Sequence, residues 1–140
     1  MRVLALDYGE ARCGCALSDP SGTIVTPIEA IPRVDTRRGM AALEALIEER
    51  EVERIVVGLP VSLRGGDTAQ TLACRAFARR LAARLGQRTP VELHDERFTT
   101  RIAREERGTF RAGLDSRAAA HLLESWLQAR AARQSASSDA

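Results

Sequence analysis

The amino-acid sequence predicts an α/β domain built on a five-stranded mixed sheet, in which a three-strand antiparallel meander is joined by two parallel strands and flanked by helices. Three strand-like apolar runs follow one another at the start of the chain with only turns between them. Two later apolar runs are each preceded by a segment of helical periodicity. Strands that are separated by helices pair in parallel through right-handed crossovers, so the two later strands extend the sheet beside the first.

The meander fills the beginning of the chain. A turn that carries Gly9 separates its first two strands, and Asp19-Pro20-Ser21-Gly22 is a strong turn signal before the third. Pro27 lies inside the third strand and lacks a backbone donor, so this strand is expected at a sheet edge or a bulge. The predicted strands cover residues 2–6, 12–18 and 23–31.

Helices and short strands alternate after the meander. Thr36 can cap a first helix that ends before Val52, and a strand at 54–57 follows. Asp67 and Gln70 stand at capping-box spacing before a second helix. The apolar positions expected to face inward on that helix are Leu72, Ala73, Ala76, Phe77, Leu81 and Leu85, with Gly86 as its stop. The remaining predicted elements are a fifth strand at 91–94, a third helix that Thr99 or Thr100 caps and that runs to about residue 111, and a last helix that follows 113–116 and ends near residue 130.

Composition sets the limits of the domain. A chain of 140 residues, 44% hydrophobic, suits one domain over 1–130, and the serine-containing segment 131–140 is expected to be a disordered tail. The net charge of +2 means that a nucleic-acid surface must be a local patch of the 21 basic residues, all of them Arg. Three cysteines without CxxC spacing favour neither disulfides nor zinc. The chain has no leader-like or membrane-spanning run, so we expect a cytoplasmic protein without a membrane partner.

Acidic residues gather at one predicted edge of the sheet. Asp7 ends the first strand and Asp95-Glu96 end the fifth, where ligands of such sheets bind. Asp115 opens the last helix on the same stripe as Ala119, Leu122 and Trp126, which directs it toward the sheet. Clustered carboxylates repel one another unless a cation joins them, and an all-oxygen ligand set favours Mg²⁺ or Mn²⁺. Two such ions can promote phosphodiester cleavage.

Simpler interpretations exist for each residue. Asp115 is also a normal helix N-cap, Asp95 or Glu96 a solvated strand end, and Asp7 a turn residue that bonds its own backbone. His94 could carry a proton, although a single histidine at a strand end is more often structural. The coincidence of the three acidic positions favours the metal site.

Four motifs resemble the YqgF/RuvX family of pre-16S rRNA nucleases and Holliday-junction-resolvase-like proteins. They are ALDYGEARCGCALSD, VVGLP, HDERFTT and LDSRAAAHLLESWL, in that order along nearly the whole chain. The resemblance implies an RNase H-like fold and a metal-dependent nuclease. It also implies that Asp7 is the first metal ligand, that Asp95-Glu96 supply the second, with Glu96 favoured, and that Asp115 is the third.

The resemblance extends to residues that hold turns, caps and phosphate. Arg12, Arg97, Thr99 and Thr100 match the family pattern. The loop after Pro60 departs from it, yet its Arg64, followed by two glycines, could still wrap a phosphate. Arg101 and Arg104 belong to a local basic excess near the acidic site, for which a solvated helix face is an equally good interpretation.

Three functions remain open at this level. The first is cleavage of RNA, with precursor 16S rRNA as substrate and ribosomal precursor particles as partners. The second is resolution of four-way DNA junctions, which requires a homodimer because two symmetric cuts need two sites. The third is a non-catalytic nucleic-acid-binding module in ribosome assembly or transcription. The sequence does not choose between a monomer and a homodimer.

Overall fold

The computed structural model describes residues 1–61, 66–95 and 114–138, without the side chains of residues 114, 115 and 138. Its elements in chain order are β1 Val3–Asp7, β2 Arg12–Ser18, β3 Val25–Pro32, α1 Arg37–Glu49, β4 Arg54–Leu59, α2 Ala69–Leu85, β5 Val91–Asp95 and α3 Leu114–Ser138. The five predicted strands are confirmed, with ends that differ by one or two residues. The predicted helix over 99–111 lies outside the described residues.

The sheet has the predicted mixed topology, with strand order β3-β2-β1-β4-β5. Strands β1, β2 and β3 pair antiparallel, whereas β4 pairs parallel with both β1 and β5. Strand β3 lies at the edge, as Pro27 predicts, and the β2–β3 register shifts between Cys13 and Cys15. The strand β1 therefore lies at the centre of the sheet, and its carboxyl end is flanked on both sides.

Two apolar cores cover the two faces of the sheet. One contains Leu4, Leu6 and the buried residues of α1 and α2. The other contains Val3, Ala5 and the buried stripe of α3, which includes the predicted Ala119, Leu122 and Trp126. Cys13 and Cys15 are fully buried in the first core. The hydrogen bond with Cys15 and then burial raise the pKa of the Cys13 thiol, so it remains protonated and packs as a small apolar group.

The start of α2 corrects one prediction. Its N-cap is Thr68, whose side chain accepts from the Thr71 backbone N–H, and the capping box joins these two threonines rather than Asp67 and Gln70. The reason is tertiary, because the Thr71 hydroxyl also donates to the carbonyl of Pro60. In this register Leu72 faces solvent, with 57% of its surface exposed, instead of facing inward. Gly86 ends the helix and Thr36 caps α1, as predicted.

Helix α3 is longer than predicted. It continues to Ser138, whereas the sequence predicts an end near residue 130 and a disordered tail over 131–140. The extra turns are exposed and contain Ala, Arg and Gln, which are good helix formers, and no Gly or Pro interrupts them. Within the described ranges, no helix is long and apolar enough to cross a membrane.

Candidate active site at the carboxyl end of strand β1

Asp7 is the last residue of the central strand and is half-buried. It pairs with Gly14 of β2. On the other side it lies level with Gly58 of β4, since the preceding residues of the two strands are paired. Both neighbours are glycines, so neither adjacent strand places a side chain beside the carboxylate. The two glycines therefore leave space on either side of Asp7 within the sheet.

The Asp7 side chain belongs to the α3 face of the sheet. Side chains alternate along a strand, and Val3 and Ala5 both pack into the core under α3. Arg12, two residues from Gly14 on β2, shares this face and is exposed. An exposed guanidinium and a half-buried carboxylate therefore lie on one face at one end of the sheet.

Ser116 attaches the first turn of α3 to the strands beside Asp7. Its buried hydroxyl donates to the Ile28 carbonyl and accepts from the Cys15 backbone N–H at 3.4 Å. These two backbone groups lie where the β2–β3 register shifts, so the hydroxyl satisfies groups that an irregular ladder exposes. Cys15 adjoins Gly14, the partner of Asp7. The first turn of α3, which contains Asp115, therefore starts close to the carboxyl end of β1.

Trp126 fixes α3 further along its length. Its Nε1–H donates to Glu92 Oε2 of β5 at 2.9 Å, and Arg54 Nη1 donates to Glu92 Oε1 at 2.8 Å. The guanidinium carbon of Arg130 lies 5.4 Å from the centroid of the Trp126 ring. Helix α3 is thus attached to both β2–β3 and β4–β5.

His94 lies in the same row as Asp7, with Gly58 between them. The His94 Nε2 and Ser125 Oγ of α3 are 3.0 Å apart in a hydrogen bond. Burial lowers the pKa of His94, against the opposing effect of Asp95. A neutral ring bonded to α3 supports the structural interpretation of His94 over a role in proton transfer.

Asp95 is the exposed last residue of β5 and pairs with Leu59. It is two strands from β1, which corresponds to about 9–10 Å between backbones. Because His94 shares the α3 face with Asp7, alternation assigns Asp95 to the opposite face. By this alternation the Asp95 and Asp7 side chains leave their strands on opposite faces of the sheet.

The remaining predicted site residues are described only in part. Asp115 lies in the first turn of α3, but its side chain is outside the described atoms. Glu96 and six predicted nucleic-acid contacts also lie outside the described residues. The six are Arg64, Arg97, Thr99, Thr100, Arg101 and Arg104.

The described side chains include one of the three predicted metal ligands, Asp7. Among residues 1–61, 66–95 and 114–138, no group of three His, Cys, Asp or Glu side chains is close enough to hold a metal ion. The other two predicted ligands, Glu96 and the Asp115 side chain, are not in that set. The Asp7 carboxylate offers hard oxygen donors, which is the ligand chemistry of Mg²⁺ and Mn²⁺.

Sequence reasoning missed the residues that position α3. In the sequence, Ser116 follows Asp115 and looks like an ordinary residue of the helix start. The structure shows that it is buried, and a buried hydroxyl needs a hydrogen-bond partner. Glu92 reads as a polar residue in a short strand. Its partners Arg54 and Trp126 are distant in sequence, so pairing them required the fold.

The chain is similar to a described family and to several named proteins. A family model described as "RuvX: Holliday junction resolvase" matches residues 1–129. A Koribacter versatilis protein named "Putative pre-16S rRNA nuclease" is 37% identical over 136 residues, which cover 92% of this chain and 88% of that protein. An Alcanivorax borkumensis protein of the same name is 40% identical over 124 residues, covering 87% and 92%.

A solved structure shares the fold. It is T. thermophilus RuvC in complex with a Holliday junction substrate, with a TM-score of 0.60 and 17% identity over 94% of this chain and 96% of RuvC. This likeness confirms the predicted RNase H-like fold.

Proposed function

The chain belongs to the RuvX family, and from this premise we propose that it is a metal-dependent nuclease that hydrolyses phosphodiester bonds in RNA, with precursor 16S rRNA as its substrate. The observation that carries the proposal is the half-buried carboxylate of Asp7, which lies between two glycines at the carboxyl end of the central strand. The proposed substrate is taken from the names of the relatives, which specify pre-16S rRNA.

We assign the metal ligands to Asp7, Glu96 and Asp115. The contact between Ser116 and Cys15 supports Asp115, since it brings the first turn of α3 next to the partner of Asp7. Alternation along β5 supports Glu96 over Asp95, because Asp95 belongs to the face opposite Asp7. The catalytic role predicted for Asp95 is correspondingly weaker.

Asp7, Glu96 and Asp115 would hold and orient the metal ions. Bound there, Mg²⁺ or Mn²⁺ would supply an activated water and stabilisation of the charge that develops on the phosphate and the leaving oxygen. Arg12 is exposed on the same face and contacts the phosphate backbone of the substrate. Water attack on phosphorus leaves a 3′-hydroxyl and a 5′-phosphate.

The other predicted nucleic-acid contacts remain proposals from the sequence. We propose that Arg64, Arg97, Arg101 and Arg104 extend the phosphate-binding surface from Arg12, and that Thr99 and Thr100 cap the segment that carries them. We further propose that the protein acts in the cytoplasm on ribosomal precursor particles. Its three cysteines are buried thiols, as is usual in a reducing compartment.

Cleavage of labelled substrates tests the function. The substrates are a precursor-16S rRNA fragment, an unrelated single-stranded RNA and a synthetic four-way DNA junction, each with Mg²⁺, Mn²⁺ or chelator. Wild type is compared with Asp7→Asn and with the matched control Asp19→Asn, which lies in the turn between β2 and β3. We expect metal-dependent cutting of the rRNA fragment by wild type and Asp19→Asn only. Equal cutting by Asp7→Asn would refute the site, and absence of cutting with retained RNA binding would favour the non-catalytic module.

Resolution of DNA junctions is the second candidate. The description of the matching family as a Holliday junction resolvase favours it. Two symmetric cuts require two sites, so this function predicts a homodimer in sedimentation equilibrium and paired incisions in the junction. A monomer that prefers the rRNA fragment would exclude it.

A further inference from the structure

A cavity of about 610 Å³ opens beside the turn between β1 and β2. It lies on the sheet side that α1 and α2 cover, around the edge from Asp7. Its volume falls within the roughly 300–1,000 Å³ of small-molecule sites. Its lining includes the aromatic and polar side chains of Tyr8, Glu10, Arg33, Asp35, Thr36 and Gln70.

Tyr8 gives this cavity a supported aromatic surface. Its ring stacks on Phe77, with 4.6 Å between the centroids and 21° between the planes. Phe77 is fully buried, so its ring supports the Tyr8 ring on the side that faces the core. The Gln70 side-chain amide donates to the Tyr8 carbonyl at 3.0 Å and fixes the backbone of the turn. The ring is therefore a stacking surface in a defined position.

Two polar groups in the lining are available to a ligand. The Thr36 hydroxyl already donates to the Arg33 carbonyl at 2.7 Å, and Asp35 is paired with Arg80. In contrast, the Glu10 carboxylate and the Arg33 guanidinium make no hydrogen bond or ion pair with any residue that the structure describes. One acceptor and one donor of opposite charge thus face the cavity. Balanced charges disfavour a phosphate and favour a neutral ligand with both donors and acceptors.

We propose that this cavity binds an unpaired guanine base of the RNA substrate, in a nucleotide next to the phosphate that is cleaved. The inference rests on the proposed nuclease function. Guanine presents adjacent N–H donors at N1 and N2 to the Glu10 carboxylate and adjacent acceptors at O6 and N7 to the Arg33 guanidinium. Its ring stacks on Tyr8, as unpaired bases stack on aromatic side chains. Tyr8 directly follows Asp7 in the chain but belongs to the other face of the sheet, so an RNA strand that reaches both sites passes around the carboxyl end of β1.

Binding of short fluorescent RNAs tests the proposal in the presence of Ca²⁺, with chelator-treated samples as a second condition. The RNAs are uridine oligomers that carry a single guanosine, inosine or adenosine, and free GMP serves as a competitor. Wild type should bind the guanosine RNA about tenfold more tightly than the adenosine RNA, since one bidentate base contact gives roughly that discrimination. Inosine, which lacks the N2 donor, should fall between them, and free GMP should compete weakly because it lacks the chain that reaches Asp7.

Substitution of two exposed residues tests the base site, and each variant has a control in which the same substitution is made elsewhere on the surface. Glu10→Ala and Arg33→Gln should lose about tenfold in affinity for the guanosine RNA and leave the adenosine RNA unchanged. Glu49→Ala, at the end of α1, and Arg88→Gln, in the loop before β5, should bind like wild type. Unchanged melting temperatures establish that the variants are folded.

Failure of this proposal is distinct from failure of the nuclease function. Equal affinity of wild type for the guanosine and adenosine RNAs would overturn the base site, as would an equal loss for both RNAs in Glu10→Ala. Tighter binding of free GMP than of the guanosine RNA would overturn it in favour of a mononucleotide site. Each of these results leaves metal-dependent cleavage, which depends on Asp7, untouched.

Discussion

Replacement of Trp126 by Phe tests whether the bond to β5 holds α3 on the sheet. The ring is 1% exposed, and its Nε1–H donates to Glu92 at 2.9 Å. A hydrogen bond to a charged group contributes about 1.5–3 kcal/mol, and the lower value applies because the Glu92 side chain is 36% exposed. The smaller ring leaves a cavity that costs about 1 kcal/mol more. We expect the free energy of unfolding to fall by about 2–3 kcal/mol in total.

Thermal unfolding measures this loss. In a domain of this size, 2–3 kcal/mol corresponds to a fall in melting temperature of about 8–12 °C. The control Glu92→Gln keeps an oxygen acceptor for the indole and should lose less. A double-mutant cycle of Trp126→Phe with Glu92→Ala, which removes the acceptor, isolates the pair, with an expected coupling of about 1.5 kcal/mol. A fall of less than about 3 °C for Trp126→Phe would refute the idea that this bond anchors α3.

Three further predictions concern local contacts. Ser116→Ala removes the donor to the part-buried Ile28 carbonyl and the acceptor for the buried Cys15 N–H, so urea denaturation should show a loss of about 1–3 kcal/mol. An unchanged midpoint would contradict the bridge between α3 and the β2–β3 pair. Gly39→Ala places a Cβ against the backbone of the loop before α1, so it should destabilise by about 1–3 kcal/mol, and a neutral effect on the melting temperature would refute the close packing. The hydrogen bond from Ser21, first among several, lowers the pKa of Asp19 to about 2. Because the folded-state pKa is lowered, the ionised Asp19 stabilises the fold above about pH 4, and this stability is lost as the pH falls through about 2. Asp19→Asn should therefore weaken the dependence of the melting temperature on pH between about 4 and 2. The same acid dependence in the variant and in wild type would contradict this.

The sheet could be predicted from the sequence because its signals are local. Period-two apolar runs, Gly9 and the turn at residues 19–22 define the meander, and Pro27 marks an edge strand. Asp7 was identifiable as a candidate site residue because a carboxylate that ends a buried strand conflicts with its surroundings. In each case a single segment contains all the information needed.

The features that could not be predicted depend on contacts between distant segments. Asp67 and Thr68 are both suitable caps, and the choice of Thr68 follows from the contact of Thr71 with Pro60. The cavity beside Tyr8 is built from the β1–β2 turn, the segment before α1 and the start of α2. The extension of α3 was missed for another reason, since serine content was weighed above the absence of Gly and Pro.

The two attachments of α3 bear directly on how the metal site would form. Ser116 joins the first turn of the helix to the β2–β3 irregularity, and Trp126 joins its middle to Glu92 of β5. Contacts ten residues apart fix both the rotation and the axial position of a helix, so packing positions the backbone of Asp115 relative to Asp7. A site whose ligands are positioned before the ion arrives does not spend binding energy on ordering them. On the proposed assignment, the stability of α3 and the activity that requires Asp115 are therefore coupled through Ser116 and Trp126, which are not among the proposed ligands.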